Sequence, residues 1–184
     1  FSTTGKTVTC DMPRMGKSIN FADVGTDNPA LVTLATEEVY GGFVLHSGMT
    51  WTTNTTMSMA GRGAYTFNDG GVSLNNTLYL RVSNSLNLTC TSKRTIQTLV
   101  GSTQTFGTFN VSGTSSTALV TFTSGTPGTH YHFSKASGNV IGSFLSITDC
   151  QGIGGASWYA TKSTNVSGNT TISFQDPQTM WGGF

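Results

Sequence analysis

The stretch FNVSGTSSTALVTFTSGTPGTHYHFS, residues 109–134, contains three short runs in which apolar and polar side chains alternate. A β-strand points successive side chains to opposite faces, so each run predicts a half-buried strand. The centres of the runs, Phe109, Val120 and Tyr131, follow one another at steps of about ten residues, with Gly or Pro between them. This spacing is typical of all-β folds, either sandwiches or solenoids.

The same alternation occurs in LYLRVS (residues 78–83), LNLTC (86–90) and LSIT (145–148). Two features favour a solenoid. No two-residue Asn-Gly or Asp-Gly turn joins a pair of strands, and Asp69-Gly70 lies in a longer loop. The polar positions repeat Thr, Ser and Asn, which can stack from coil to coil as hydrogen-bonding ladders. We therefore predict an all-β, right-handed parallel β-helix, with an antiparallel β-sandwich as the alternative.

The composition agrees with stacking of uncharged side chains. Charged residues make up 9% of the 184 residues, against about 25% in ordinary soluble domains. The chain contains instead 33 Thr, 21 Ser and 23 Gly. The net charge is +1, and the largest basic cluster is Lys93-Arg94, so we predict no nucleic-acid partner. No run of 18 apolar residues is present, so we predict no membrane span.

Charge and proline divide the chain into segments. Residues 1–40 contain five acidic and three basic residues and two of the four prolines, whereas residues 41–184 contain three acidic and six basic residues. We interpret residues 1–40 as an N-terminal cap or attachment segment, 41–174 as the β-solenoid domain and 175–184 as a C-terminal tail. Residues 1–40 can equally be the first strands of the same domain. A short helix is predicted only in NPALVTLATEEVY, residues 28–40.

The second half of the chain resembles a known family. The resemblance rests on GTFNVSGTSSTALVTFTSGTPGTHYHFSKASGNVIGSFLSITDC (107–150) and GGASWYATKSTNVSGNTTISF (154–174). Its elements are Asp149-Cys150, Gly154-Gly155, Trp158-Tyr159-Ala160, Ser163-Thr164 and residues 168–174. They are similar to β-helical repeat domains of phage virion proteins, of the tail fibre and tailspike type, and of bacterial cell-surface proteins. The resemblance implies a β-helix outside a virion or cell. Its motifs are structural, and β-helices carry many functions.

A polysaccharide depolymerase, either hydrolase or lyase, is the alternative function. Glycoside hydrolysis normally needs two carboxylates, and the predicted solenoid and tail offer only Asp69, Asp149 and Asp176, each beside a turn or the C-terminus. A lyase would need a Lys, Arg or His base, often with a calcium site that requires more acids than this chain has. No GxSxG motif, Walker loop, HExxH motif or dinucleotide-binding fingerprint is present. We predict no catalytic residue and no cofactor, unless a depolymerase site forms between protomers.

Histidine and cysteine do not form a recognisable metal motif. His130 and His132 share one face of a predicted strand but lack a third ligand, so we interpret them as polar wall positions and predict no metal site. Cys10, Cys90 and Cys150 include no CxxC pair and are expected to be buried small hydrophobic residues. A Cys10–Cys90 or Cys90–Cys150 disulfide remains open.

Several aromatic residues lie in polar surroundings. Trp51, Tyr65 and Trp181 are predicted to contact glycans by stacking on sugar rings, and Trp51 and Trp181 are expected to be exposed. Trp158 is expected to pack inside the last coil. The sequence thus predicts a non-enzymatic structural or adhesive module on a virion or cell surface. Its expected partners are copies of itself that shield the solenoid ends, other surface proteins and glycans.

Overall fold

The structure is a computed structural model and describes residues 6–24, 28–33, 37–53, 56–73, 76–82 and 85–175. These residues contain strands and loops but no helix. The strands, numbered in chain order, are β1 Thr7–Cys10, β2 Arg14–Met15, β3 Ile19–Asn20, β4 Ala30–Thr33, β5 Glu37–Val39, β6 Phe43–Val44, β7 Thr50–Thr53, β8 Met57–Gly61, β9 Tyr65–Asn68, β10 Thr77–Val82, β11 Leu86–Cys90, β12 Arg94–Thr98, β13 Thr103–Val111, β14 Val120–Ser124, β15 Tyr131–Lys135, β16 Asn139–Ser143, β17 Leu145–Thr148, β18 Cys150–Gly154, β19 Ser157–Thr161, β20 Thr164–Ser167 and β21 Ile172–Ser173.

The strands form a solenoid of about seven turns. Each turn adds one strand to an eight-stranded sheet, here called sheet 1, in the order β2-β5-β8-β10-β12-β14-β17-β20. The seven-stranded sheet 2 runs from the first turn to the seventh in the order β3-β6-β9-β11-β13-β15-β18. The third side carries β1-β4-β7 at one end and β16-β19-β21 at the other. On this side the described connections of the middle turns, residues 69–73, 91–93 and 112–119, contain no named strand.

Every ladder between named strands is parallel, so the parallel β-helix is confirmed and the antiparallel sandwich is excluded. The right-handed winding stays a prediction. Parallel pairing follows from the chain path, because a strand that returns after a full turn enters its sheet in the same direction.

The core is a set of columns that run through the stacked turns. On sheet 1 one inward column consists of Met57, Leu78, Ile96, Phe122 and Ile147, which pair in register and are almost fully buried. The facing column on sheet 2 consists of Phe43, Phe67, Leu88 and Phe109. Burial of these side chains is the main favourable term that the fold has to offset the entropy of ordering the chain.

Strands from residues 1–40 belong to the same ladders as the rest of the chain. β1 pairs with β4 and β4 with β7, while β5 pairs with β8 across the predicted boundary at residue 40. An attachment role for this segment stays a prediction. The helix predicted within residues 28–40 is wrong, because the described parts of that stretch form β4 and β5. The tail, residues 175–184, lies outside the described residues apart from Gln175.

In the described ranges of the chain we find no helix with the length and hydropathy needed to cross a membrane.

Candidate binding surfaces

A groove of about 820 Å³ lies over the first three turns, where the strands of sheet 1 lead into those of sheet 2. It is lined by residues 16–20, 40–42, 44 and 64–66. These are the corner segments of three successive turns, so the groove crosses the strands and follows the solenoid axis.

Glycines form the floor of the groove. Gly41 and Gly42 are buried, and a Cβ on Gly41 would lie 2.5 Å from the backbone nitrogen of Ser18 in the preceding turn. The Gly42 amide donates a hydrogen bond of 2.8 Å to Ser18 Oγ. A Cβ on Gly16 would meet no atom within 4 Å. The two turns therefore approach closely, and no side chain fills the corner above them.

Two tyrosines line the groove. Tyr40 is 39% exposed, and its hydroxyl donates a 2.9 Å hydrogen bond to Glu38, which also forms a 3.2 Å ion pair with Arg14. The hydrogen bond to Glu38 raises the pKa of Tyr40, so its hydroxyl remains a donor. The ring of Tyr65 packs against Gly61, where an added Cβ would come within 2.5 Å of the Tyr65 hydroxyl.

Polar side chains complete the groove. Lys17, Asn20 and Thr66 line it and are exposed. Aromatic rings held beside amide, hydroxyl and ammonium groups suit a polar ligand such as a sugar ring, because the aromatic ring covers apolar C–H groups while the polar groups bond hydroxyls.

The three residues predicted to bind glycans differ in their positions. Tyr65 lies in the groove, half-buried. The prediction that Trp51 is exposed is wrong, because its side chain is 5% exposed and its ring packs 5.0 Å from that of Phe43. Trp51 points inward on β7 and is therefore not available to stack on a sugar. Trp181 lies outside the described residues. Tyr40 was not predicted to bind a glycan, although its position directly before Gly41 and Gly42 could have indicated a place in the groove.

Trp158 is buried, as expected, and belongs to an aromatic cluster in the later turns. The cluster comprises Phe106, Phe109, Phe122, Phe133 and Trp158. Its rings come from both sheets and from the third side, so the cluster fills the interior where all three meet. It serves packing and is not a ligand surface.

Asp69 and Asp149, two of the three acids in the predicted solenoid and tail, accept hydrogen bonds from loop amides. Asp69 is fully buried and accepts hydrogen bonds from the amides of Gly71, at 3.0 Å, and Thr91, at 3.0 Å, and from the Ser92 hydroxyl, at 2.7 Å. Asp149 is 4% exposed and accepts a 2.7 Å bond from the Gly128 amide. Buried carboxylates held in this way organise loops and do not face a substrate. Asp176 lies outside the described residues.

Arg94 is a buried polar residue that the sequence reasoning missed. Its side chain is 1% exposed, donates a 3.0 Å hydrogen bond to the Val72 carbonyl, and lies 5.3 Å from the centre of the Phe67 ring. The alternation on β12 could have predicted that Arg94 is buried, because Arg94, Ile96 and Thr98 share the inward face. Asp69 lies in the connection 69–73 on the third side, and Arg94 reaches from β12 to the Val72 carbonyl of that connection, so polar groups close the interior there.

His130 and His132 contact the backbone of other turns. His130 Nε2 lies 2.7 Å from the Gly168 carbonyl oxygen, and His132 Nδ1 lies 3.4 Å from that of Ser102. Within the described ranges no three His, Cys, Asp or Glu side chains are grouped closely enough to hold a metal ion.

The three cysteines, all within the described residues, are not joined in a disulfide. Cys10, Cys90 and Cys150 lie in the first, fourth and seventh turns, so successive cysteines are about 14 Å apart along the axis. A disulfide requires Cα atoms within about 7 Å, which excludes both pairings that the sequence left open. Burial raises the pKa of Cys90 to about 12, and burial also raises the pKa of Cys150. Both are buried as expected, whereas Cys10 is only partly buried.

Comparison with known proteins gives no relative: no family model, no curated protein and no solved structure matches this chain.

Proposed function

We propose that the protein is a non-enzymatic structural and adhesive module that acts on the outside of a phage virion or bacterial cell and contacts glycans through its groove. The observation that carries the proposal is the groove at the corner of the first three turns, with Tyr40 and Tyr65 beside a glycine floor. The stacked turns would act as a stiff support for that surface.

The engagement of the buried acids supports a non-enzymatic role. Asp69 and Asp149 accept hydrogen bonds from loop amides, so neither is placed as a general acid or base for a ligand in the groove. Among the described residues, the end strands of sheet 1, β2 and β20, pair on one edge only, and free strand edges are usually covered. We therefore include self-association in the proposal.

Glycan binding is tested by calorimetric titration of neutral and acidic oligosaccharides into the wild-type protein and into Tyr40→Ala and Tyr65→Ala. We expect one of these saccharides to bind and each variant to weaken its affinity about fivefold or more, as for an aromatic anchor of a binding site. Tyr79→Ala, a half-buried outward tyrosine on β10, is the matched control and should leave the affinity unchanged. Equal losses in all three variants would refute the groove as the binding site.

Catalysis is tested with the same saccharides. New reducing ends or unsaturated products after prolonged incubation would contradict the non-enzymatic assignment and favour a depolymerase whose site forms between protomers. Sedimentation velocity over a concentration series tests self-association, and a monomer at every concentration would remove that part of the proposal.

A further inference from the structure

The outer face of sheet 1 carries a continuous row of hydroxyl side chains. Strand pairing places one residue from each of five consecutive turns in register, in the order Thr77, Thr95, Thr121, Ser146 and Thr164. Thr123 and Thr148 lie two residues further along β14 and β17 and begin a second row. We call these seven residues the hydroxyl face.

The direction of these side chains follows from the alternation on the strands. The residues between the rows, Ile96, Phe122 and Ile147, are buried in the core at 0–2% exposure. The residues of the hydroxyl face therefore point outward, where six are half-buried by their neighbours in the sheet and Thr164 is exposed.

The hydroxyl groups of the face are available to an external partner. Within the part of the chain that the structure describes, none of the seven hydroxyls makes a hydrogen bond. The predicted hydrogen-bonding ladder is therefore absent from this face, although the stacking is present. Elsewhere the two hydroxyls of Ser112 and Ser143 do bond across neighbouring turns, at 3.1 Å.

The face has a regular spacing in two directions. Neighbouring strands of a sheet lie about 4.7–4.9 Å apart, and residues two apart along a strand are about 6.4–6.8 Å apart. Threonine is stiff at χ1, so most positions present one hydroxyl and one methyl group in a fixed arrangement. A partner that matches this face must itself repeat at similar intervals in two dimensions.

The face is uncharged, which restricts the partner further. The charged residues next to the face in sequence, Arg94 and Asp149, are buried at 1% and 4% exposure and do not reach the outer surface. Lys93 and Lys162 precede strands β12 and β20, and Arg81 lies at the margin on β10. Tyr79 is the only aromatic side chain among the outward residues of β10, β12, β14 and β17, so the face lacks the row of rings that would stack on the sugars of a crystalline polysaccharide.

We propose that the hydroxyl face binds an ordered lattice of water, the surface of an ice crystal. An ice surface is neutral, repeats in two dimensions at intervals of this size, and offers both hydrogen-bond donors and acceptors to single hydroxyls. The methyl groups would occupy gaps of the lattice, while the lack of charge avoids a competing hydration shell. This inference does not depend on the proposed glycan contact, which uses a different face and different turns.

The test measures inhibition of ice recrystallisation and enrichment of the protein in slowly grown ice. Thr121→Arg places a bulky charge at the centre of the face. Thr108→Arg is the matched control, because Thr108 is an exposed outward threonine on sheet 2, in register with Asn87. We expect the wild-type protein and Thr108→Arg to inhibit recrystallisation and to enter the ice, and Thr121→Arg to lose most of both activities.

Circular dichroism and resistance to protease establish that each variant is folded. If Thr121→Arg does not fold, Ser146→Arg replaces it with the same expectation. No activity of the wild-type protein on ice would overturn the proposal, and so would equal losses in the sheet 1 and sheet 2 variants. Retention on microcrystalline cellulose that is lost in Thr121→Arg, without any effect on ice, would assign the face to a polysaccharide crystal and would also overturn it.

Discussion

The first turns and the later turns use the same winding but pack differently. In the first two turns β2, β3 and β6 have only two residues each, and the corners are occupied by glycines under an open groove. From the fifth turn onward the strands are mostly four to nine residues long, and an aromatic cluster fills the interior.

The outer surfaces of the first and the later turns also differ, in the charge of their side chains. The first turns carry an ion pair between Arg14 and Glu38 on sheet 1, whereas the positions in register with them in the later turns carry the uncharged side chains of Tyr79, Gln97 and Thr123. A parallel solenoid stacks each side chain on its counterpart in the next turn. The comparison therefore indicates that the stacked rows of the later turns favour neutral side chains, and that the two charges stacked in the first turns have opposite signs.

The largest expected effect compares the packing of the core in the first and the later turns. Phe133→Ala should lower the free energy of unfolding by about 3–5 kcal/mol, because it leaves a cavity among five rings that lie 5.0–5.8 Å away. Phe43→Ala removes a phenylalanine side chain in the first turns, where two rings contact it. This variant should lower the free energy of unfolding by a smaller amount. Urea unfolding of both variants measures the difference. An equal or larger loss for Phe43→Ala would show that the early turns are packed as tightly.

The next effect compares the two buried acids. Asp69→Ala should destabilise the protein by about 2–4 kcal/mol, because the amides of Gly71 and Thr91 and the buried hydroxyl of Ser92 lose their acceptor. Asp149→Gly removes a single described amide bond, and glycine adopts the backbone φ of 57° there without strain, so a loss of about 1–2 kcal/mol is expected. Thermal and urea unfolding test this order. If Asp69→Ala left the free energy of unfolding unchanged, water would replace the carboxylate as the acceptor.

Alkaline pH should weaken the fold through its buried thiols. Burial raises the pKa of Cys90 from 9.0 to about 12, so the folded state keeps its proton when the unfolded chain has lost it. The stabilising contribution is complete below pH 9 and is lost as pH rises from 9 towards 12, at about 1.4 kcal/mol per pH unit for one thiol. The free energy of unfolding between pH 8 and 10.5 measures the slope. Cys90→Ala should reduce it, and an unchanged slope would exclude this thiol as the cause.

The smallest expected effect concerns the ion pair of the first turns. Arg14 is 75% exposed in its side chain and Glu38 is 28% exposed, so the pair is screened by solvent. Arg14→Ala should change the free energy of unfolding by less than about 1 kcal/mol, and the change should vanish at high salt. Thr123→Ala serves as a control on the uncharged part of the same sheet and should show no salt dependence. A larger, salt-resistant loss would show that the pair holds the first turns together.

Much of the fold was predictable from local patterns. The alternation around Phe122, Leu88 and Ile147 correctly located strands β14, β11 and β17, because one buried face imposes a period of two. The repeated neutral polar residues correctly indicated a parallel stack. Of the candidate site, only Tyr65 was predicted and found in the groove. Tyr40 and the glycine floor were missed because a groove across three turns joins residues more than 20 positions apart.

The amino-acid sequence alone determined which side chains face inward in most strands, since alternation is a local property, and it determined that the wall is neutral. Only the tertiary structure decided which residues become neighbours between turns. It placed Trp51 inside against Phe43, Arg94 beside Phe67, and Thr121 between Thr95 and Ser146. The physical reason is that register between turns depends on the length of each coil, which varies along the chain and is fixed only when the core of every turn is packed on the next.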